Sequence, residues 1–271
     1  MDIALSAAVR SSLLSLSSTQ ALIDRTNNRL ASGLKVAGVT DDADAFFEAK
    51  ALNDRAADMS DKKDGIDQGI NSLTTALEGI ESLDAIVKQM KGLATSARSA
   101  SGAELTSLVT QFNSLRGQIN LLSADASYQG LNLVNGTGQT LTVSFSNLTT
   151  SKLTVAAVDL TNATSGLDIT AAANFSVATN IDNSVTELDA AISTLRGQAQ
   201  TLGSNVALLQ TRLDFTTSYV NVLEEGAGKL TLADINQEGA NLVAMQTRQQ
   251  LGISALSFAG QSEQSVLALF R

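Results

Sequence analysis

The sequence predicts a mainly α-helical fold: a long antiparallel rod of coiled-coil-like helices built from both chain ends, with a small β-hairpin region in the middle. Three observations carry this expectation. Proline is absent from all 271 residues, and proline is the residue that breaks helix interiors. Aromatic residues make up only 4% and tryptophan is absent, so the core must consist of thin seams of Leu, Ile, Val and Ala, as in helix bundles. Four segments space their apolar residues by alternating threes and fours, the mark of a helical seam.

The first seam runs Val9, Leu13, Leu16, Gln20, Ile23, Asn27, Leu30, Leu34. Two polar members weaken it as a lone helix, and Ser32, Gly33 and Gly38 interrupt it. Asp41 and Asp42 are placed to cap the helix that follows, since carboxylates accept the free N–H groups of a first turn. The second seam runs Met59, Lys63, Ile66, Ile70, Leu73, Leu77, Ile80, Leu83, Val87, Met90, Ala94, Ala97, with one stammer-like shift between Leu77 and Leu83. The third is Leu105, Leu108, Phe112, Leu115, Ile119, Leu122.

The fourth seam is the strongest: Ile181, Val185, Leu188, Ile192, Leu195, Ala199, Leu202, Val206, Leu209, Leu213, Thr216, Val220, Leu223. At 1.5 Å per residue it predicts a helix of roughly 65 Å. Before it, residues 135–177 are rich in Thr, Ser, Asn and Gly. There Leu141, Val143 and Phe145, then Leu153 and Val155, alternate with polar residues on either side of Asn147–Ser151, which predicts a β-hairpin. After it, Glu224–Gly228 reads as a break and linker. The last segment, from Leu232, has helical tendency with an irregular seam and ends on the apolar run Val266-Leu267-Ala268-Leu269-Phe270-Arg271.

Composition excludes several functions. Cysteine and histidine are both absent, which removes thiolate chemistry, the commonest general base and the commonest metal ligands. The net charge of -9 repels nucleic acid. No apolar run reaches the length of a membrane helix, and the start, Met1-Asp2-Ile3-Ala4-Leu5-Ser6, lacks a signal-peptide core. Asp41, Asp42 and Asp44 do not form a calcium loop, because the sixth and twelfth positions from Asp42 hold Phe47 and Asn53 instead of Gly and Glu. The patterns at Asn135, Asn147, Asn162 and Asn174 match N-glycosylation sequons, as any stretch so rich in Asn, Ser and Thr will. No residue set forms a nucleophile with its base, so the sequence reads as a non-enzymatic chain without cofactor or metal.

The chain ends carry the functional expectation. Both have apolar stripes and weak seams, and a two-helix pair leaves much apolar surface wet. Such surface marks an interface, and identical subunits stacked head to tail build an open helical filament.

Three motifs strengthen this. The run Arg29-Leu30-Ala31-Ser32-Gly33-Leu34-Lys35-Val36 with Thr40-Asp41-Asp42-Ala43 resembles the N-terminal signature of bacterial flagellins. Tyr128-Gln129-Gly130-Leu131-Asn132-Leu133 is similar to the flagellin turn before the variable region, and Ser265 to Arg271 resembles the flagellin C-terminus. The resemblance spans roughly residues 1–137 and 180–271. It implies a subunit that polymerises into the extracellular bacterial flagellar filament for swimming motility, exported unfolded by the flagellum-specific type III apparatus without a cleaved signal peptide. A hook–filament junction protein and a type III-secreted coiled-coil protein are the competing readings.

The implied organisation is an inner terminal-helix polymerisation domain (1–40 and 230–271), an outer helical rod domain (41–137 and 180–229) and a short β-rich surface region (138–179). The residues expected to carry polymerisation are Leu13, Leu16, Ile23, Leu30 and Leu34, with Ile253, Leu256, Val266, Leu269 and Phe270 as partners. The implied partners are other copies of the chain, hook–filament junction and cap proteins, the export apparatus and an export chaperone. Many flagellins carry an arginine and a glutamate read by an innate Toll-like receptor; Gln89 and Gly92 stand there in this chain, with Lys91 keeping one basic position.

Overall fold

In the computed structural model, residues 7–172 and 174–269 are described. Five helices form among them: α1 (Ala7–Ser32), α2 (Ala43–Ala97), α3 (Gly102–Asp125), α4 (Ala178–Thr231) and α5 (Ile235–Leu269). Four short strands lie between α3 and α4: β1 (Ser127–Tyr128), β2 (Leu131–Asn132), β3 (Thr140–Ser144) and β4 (Lys152–Ala156). The chain divides into a terminal unit, 1–55 with 222–271, and a central unit, 56–221.

The central unit is organised by its long seams. From Met59 to Ala97, α2 buries the expected line: Ile66, Leu73, Leu83, Val87, Met90 and Ala94 are fully out of solvent. Opposite them α4 buries Leu188, Leu195, Leu202 and Leu209. The two run antiparallel, since Lys91 pairs with Asp189 and Arg98 with Asp182. The one polar seam member, Thr216, is buried and returns its hydroxyl to the Arg212 carbonyl at 2.8 Å, so it leaves no orphaned group. Phe112 and Ile119 of α3 complete this core, with Phe112 edge-on to Phe175 at 5.3 Å.

The hairpin forms as its alternation dictates. Leu141 faces Val155 and Val143 faces Leu153 across an antiparallel ladder, and Leu141, Val143 and Val155 are buried. Close approach of β3 to α2 requires Gly69, because a Cβ there would lie 2.5 Å from Val143 Cγ2.

β1 and β2 are joined by Gln129 (φ 50°) and Gly130 (φ 83°), a two-residue turn with positive φ at both positions. It delivers Asn132 to the end of α3, where its Nδ2 donates to the Ser123 and Ala124 carbonyls at 2.8 and 3.1 Å. Its Oδ1 accepts from the Val134 and Asn135 N–H groups. One buried amide thus closes the C-terminus of α3 and fixes the departing chain.

The described residues of 157–172 and 174–175 form no helix or extended strand yet bury Leu160, Leu167, Ile169, Ala172 and Phe175. They are laced to α3: Asn113 exchanges two hydrogen bonds with the Ala172 backbone, Arg116 Nε donates to the Ile169 carbonyl, and Asn162 donates to the Arg116 carbonyl. Asp159 closes a turn by accepting from Thr161 and Ser165. Burial pushes its carboxyl up, but these hydrogen bonds outweigh that and hold it below the usual carboxylate range. Asn162 is buried with its amide engaged, so its sequon is closed to a glycan.

Gly69→Ala is expected to destabilise the central unit. Helix propensity favours alanine by about 1 kcal/mol, whereas overpacking against the buried Val143 costs about 1–3 kcal/mol. Combined with Val143→Ala, the loss is expected to fall short of the sum of the two single losses. Thermal denaturation of the three variants measures this.

Candidate polymerisation interface

The terminal unit consists of α1 and α5 packed against each other, with the ends of α2 and α4. Gly33 stops α1: its φ is 71° and its N–H bonds the Arg29 carbonyl at 2.8 Å, a left-handed helix end that favours glycine. The following loop is stitched to the end of α4 through Lys35 and Val36 N–H to the Thr231 carbonyl and Ala233 N–H to the Gly33 carbonyl. As expected, Asp42 caps α2, accepting from Ala45 N–H at 3.0 Å, while Asp41 holds the preceding turn through the Ala37 and Gly38 N–H groups. The expected break at Glu224–Gly228 is not there. α4 continues through it to Thr231, because Ala227 is buried and Leu223 extends the seam, and burial outweighs glycine's modest helix cost. The chain breaks at 232–234 instead, where Asp234 caps α5 through the Asn236 and Gln237 N–H groups.

α1 and α5 run antiparallel in a single register. Arg29 pairs with Glu238 at 3.0 Å, Gln20 accepts from Gln249 at 2.7 Å, and a Cβ at Gly252 would lie 2.8 Å from Leu16 Cδ1. The line that α5 turns inward is Glu238, Leu242, Met245, Gln249, Gly252, Leu256, Ala259. Its steps alternate four and three without a fault, but its members are largely polar or small. The inward line of α1 is Val9, Ser12, Leu16, Thr19, Ile23, Thr26, Leu30. Three of the eight members of the expected line are therefore shifted by one residue: Ser12, Thr19 and Thr26 point in where Leu13, Gln20 and Asn27 were expected.

Many large apolar side chains face outward as a result. Leu14 and Phe258 are each 73% exposed, and Leu13, Leu22, Val243, Leu251 and Ile253 are exposed as well. Of the residues expected to carry polymerisation, Ile23 is buried between the two helices. Leu16, Leu30 and Leu256 are half-buried in the pair, Leu34 is half-buried beyond the end of α1 where it bridges Leu232, and Leu13 and Ile253 are exposed. Val266 and Leu269 lie on α5 with side chains outside the described residues, and so does all of Phe270. In the central unit Gln89 and Gly92 are exposed, a Cβ at Gly92 would meet open space, and the Lys91 ammonium is engaged by Asp189.

Among the described residues no group of carboxylates is arranged to hold a metal ion, and no helix is long and apolar enough to cross a membrane.

Long seamed helices, with a terminal pair that buries polar groups and presents leucine and phenylalanine to solvent, define a structural subunit of a helical polymer. Comparison with known proteins makes this specific. The helical N-terminal region of bacterial flagellins matches residues 4–139, and their helical C-terminal region matches residues 179–270. Flagellin FljM of Caulobacter vibrioides is 33% identical, and flagellin FljK of the same organism 31%, each over 96% of this chain and 94% of the relative. A flagellin of Brucella melitensis is 31% identical over 96% of this chain and 95% of its own length. The chain belongs to the bacterial flagellin family. It is a structural subunit that self-polymerises into the flagellar filament outside the cell, and not an enzyme.

Arg29→Ala is expected to loosen the α1–α5 pair by about 1–3 kcal/mol, the worth of a charge-assisted hydrogen bond with a largely buried carboxylate left behind. Faster hydrogen exchange of the α5 amides, with unchanged exchange in α3, is the expected reading.

Proposed function

We propose that polymerisation runs through the terminal helices, with residues 1–40 and 230–271 as the inner assembling domain. Residues 41–137 and 180–229 then form an outer helical domain, and 138–179 a short surface region. The supporting observation is the inversion of polarity in the α1–α5 pair. Clustered exposed apolar side chains mark an interaction site, and in this reading each copy covers them with the same helices of its neighbours. Leu13 and Ile253 act directly at the contact. Leu16, Ile23, Leu30, Leu34 and Leu256 hold the pair in register, and Val266, Leu269 and Phe270 extend the contact at the chain end.

An open helical polymer has two unlike ends. Hook–filament junction proteins at one and cap proteins at the other are the partners this reading requires, together with the flagellar export apparatus and an export chaperone during transit. Export proceeds without cleavage of a signal peptide.

Electron microscopy of purified protein supplied with short filament seeds tests the reading. The full chain is expected to elongate the seeds. Leu13→Asp and Ile253→Asp are expected to stay soluble and folded without elongating them, as is a chain lacking 1–40 and 230–271. Normal filaments from either aspartate variant would overturn the assignment.

The surface at Gln89, Lys91 and Gly92 presents one amide, one paired ammonium and no side chain where an arginine and a glutamate stand in many flagellins. We infer that the innate Toll-like receptor does not recognise it. Receptor-expressing reporter cells given purified monomer are expected to stay silent, and a strong response would refute this.

A further inference from the structure

The chain leaving β2 is tied to the irregular segment that begins at Ala157. Val158 N–H donates to the Leu133 carbonyl and Leu160 N–H to the Val134 carbonyl, each at 2.9 Å, and Gly136 N–H donates to the Val158 carbonyl at 3.1 Å. Asn135 stands opposite Asp159 in this antiparallel contact, and Leu133, Val134 and Leu160 are buried beside it.

Asn135–Gly136 is the one asparagine–glycine pair in the sequence; a side chain follows every other asparagine. In an open chain such a pair is chemically unstable. The glycine nitrogen, which no side chain shields, attacks the asparagine Cγ. The bond from nitrogen to Cγ forms, the bond from Cγ to the side-chain amide nitrogen breaks, and ammonia leaves carrying the glycine N–H proton. Water then opens the cyclic imide at one of its two carbonyls, which leaves aspartate or isoaspartate.

The fold opposes each part of that attack. The Gly136 N–H is spent on the Val158 carbonyl, an acceptor that cannot take up its proton. Asn135 Oδ1 accepts from the Thr137 N–H at 3.2 Å and from the Thr137 hydroxyl at 2.7 Å. These bonds remove the side-chain rotation that would bring Cγ onto the Gly136 nitrogen. Asp159 lies against Gly136, where an added Cβ would be 2.7 Å from Asp159 Cβ, and a carboxylate disfavours a second anion beside it. The same closeness, with φ at 70°, excludes any residue but glycine at 136. The fold therefore requires the labile pair and protects it.

We propose that Asn135 is a covalent modification site that is open only while the central unit is unfolded, and that its conversion to isoaspartate closes the route to the fold. The main chain of isoaspartate passes through Cβ and Cγ, which adds one backbone atom. Gly136 N–H and the Val158 carbonyl then lose their register, and the carboxylate no longer sits where the turn with Thr137 needs an acceptor. Conversion to aspartate preserves both. Time spent unfolded is thereby recorded at one residue, and chains that wait too long leave the pool that can fold. This chemistry does not depend on polymerisation.

The full chain is incubated folded and, in parallel, unfolded in urea, in the same mildly alkaline buffer, and peptide mapping by mass spectrometry follows Asn135. Conversion is expected to be at least about tenfold faster in the unfolded chain, because the folded site must first open, and to outpace every other asparagine. After dilution from urea, isoaspartate at 135 is expected to be enriched several-fold in the fraction that fails to regain the helical circular dichroism of the fresh chain. Asn135→Asp is expected to keep its ability to refold for longer, since ring closure there must expel water instead of ammonia. If Asn135→Asp does not fold, the mapping of the unaltered chain decides. Equal conversion in folded and unfolded chain, no conversion at Asn135 in urea, or isoaspartate shared evenly between the refolded and unfolded fractions overturns the proposal. Each of these outcomes leaves the filament reading standing.

Discussion

Two helices packed against each other can each hide only one line of side chains. In the terminal unit half of the members of those lines are polar or small groups that gain little from being hidden. Ser12, Thr19 and Thr26 on α1 face a line on α5 that includes Glu238, Gln249 and Gly252. Most of the apolar surface of the pair stays wet, where each buried CH₂ would contribute about 0.8 kcal/mol. What the pair gains from this arrangement is register. Arg29 meets Glu238 and Gln20 meets Gln249, and polar contacts of this kind specify one alignment at some cost in stability. The outward leucines are thereby set at fixed positions along the pair.

The central unit has the opposite economy. Its seams are apolar along most of their length, with Thr216 a buried exception that bonds its own helix backbone. Asn132 satisfies the end of α3, while Asn113, Arg116 and Asn162 tie an irregular segment down to that helix. These polar side chains are tolerated there because their hydrogen bonds are made. The central unit thus closes a core of its own, whereas the terminal unit presents large apolar side chains to solvent.

The long seams were legible because spacing and composition agreed. From Ile181 to Leu223 every member but Thr216 is apolar, and the structure follows that line to its end. Legibility failed where spacing and composition parted. On α1 the choice of Leu13 over Ser12 followed hydrophobicity, but the helix is turned by its contacts with α5 and not by its own most apolar face. The seam of α5 was regular all along, yet it was hidden because Glu238, Gln249 and Gly252 occupy it. The glycines at 226 and 228 suggested a break that burial of Ala227 overrides, while the true break at Asp234 carried an ordinary capping residue. The core role of residues 157–175 was illegible for a different reason. Leu160, Leu167 and Phe175 are spaced by no period, and hydrogen bonds from α3 together with the Asp159 turn hold the backbone that buries them.

The hairpin tip has a consequence for how such a chain can change in length. The ladder from Thr140–Ala156 to Ser144–Lys152 is closed by Phe145 N–H on the Ser151 carbonyl, with Arg212 stacked on the Phe145 ring. Beyond that clasp, Asn147 to Thr150 are exposed and contribute nothing to the core. The two strands are thus held together independently of how much chain connects them. Each doubling of a flexible connection adds only about 0.6 kcal/mol of closure entropy. A whole folded module spliced in at this point would leave the helices beneath it undisturbed, so the clasp works as an insertion port on a scaffold that is otherwise closed to change.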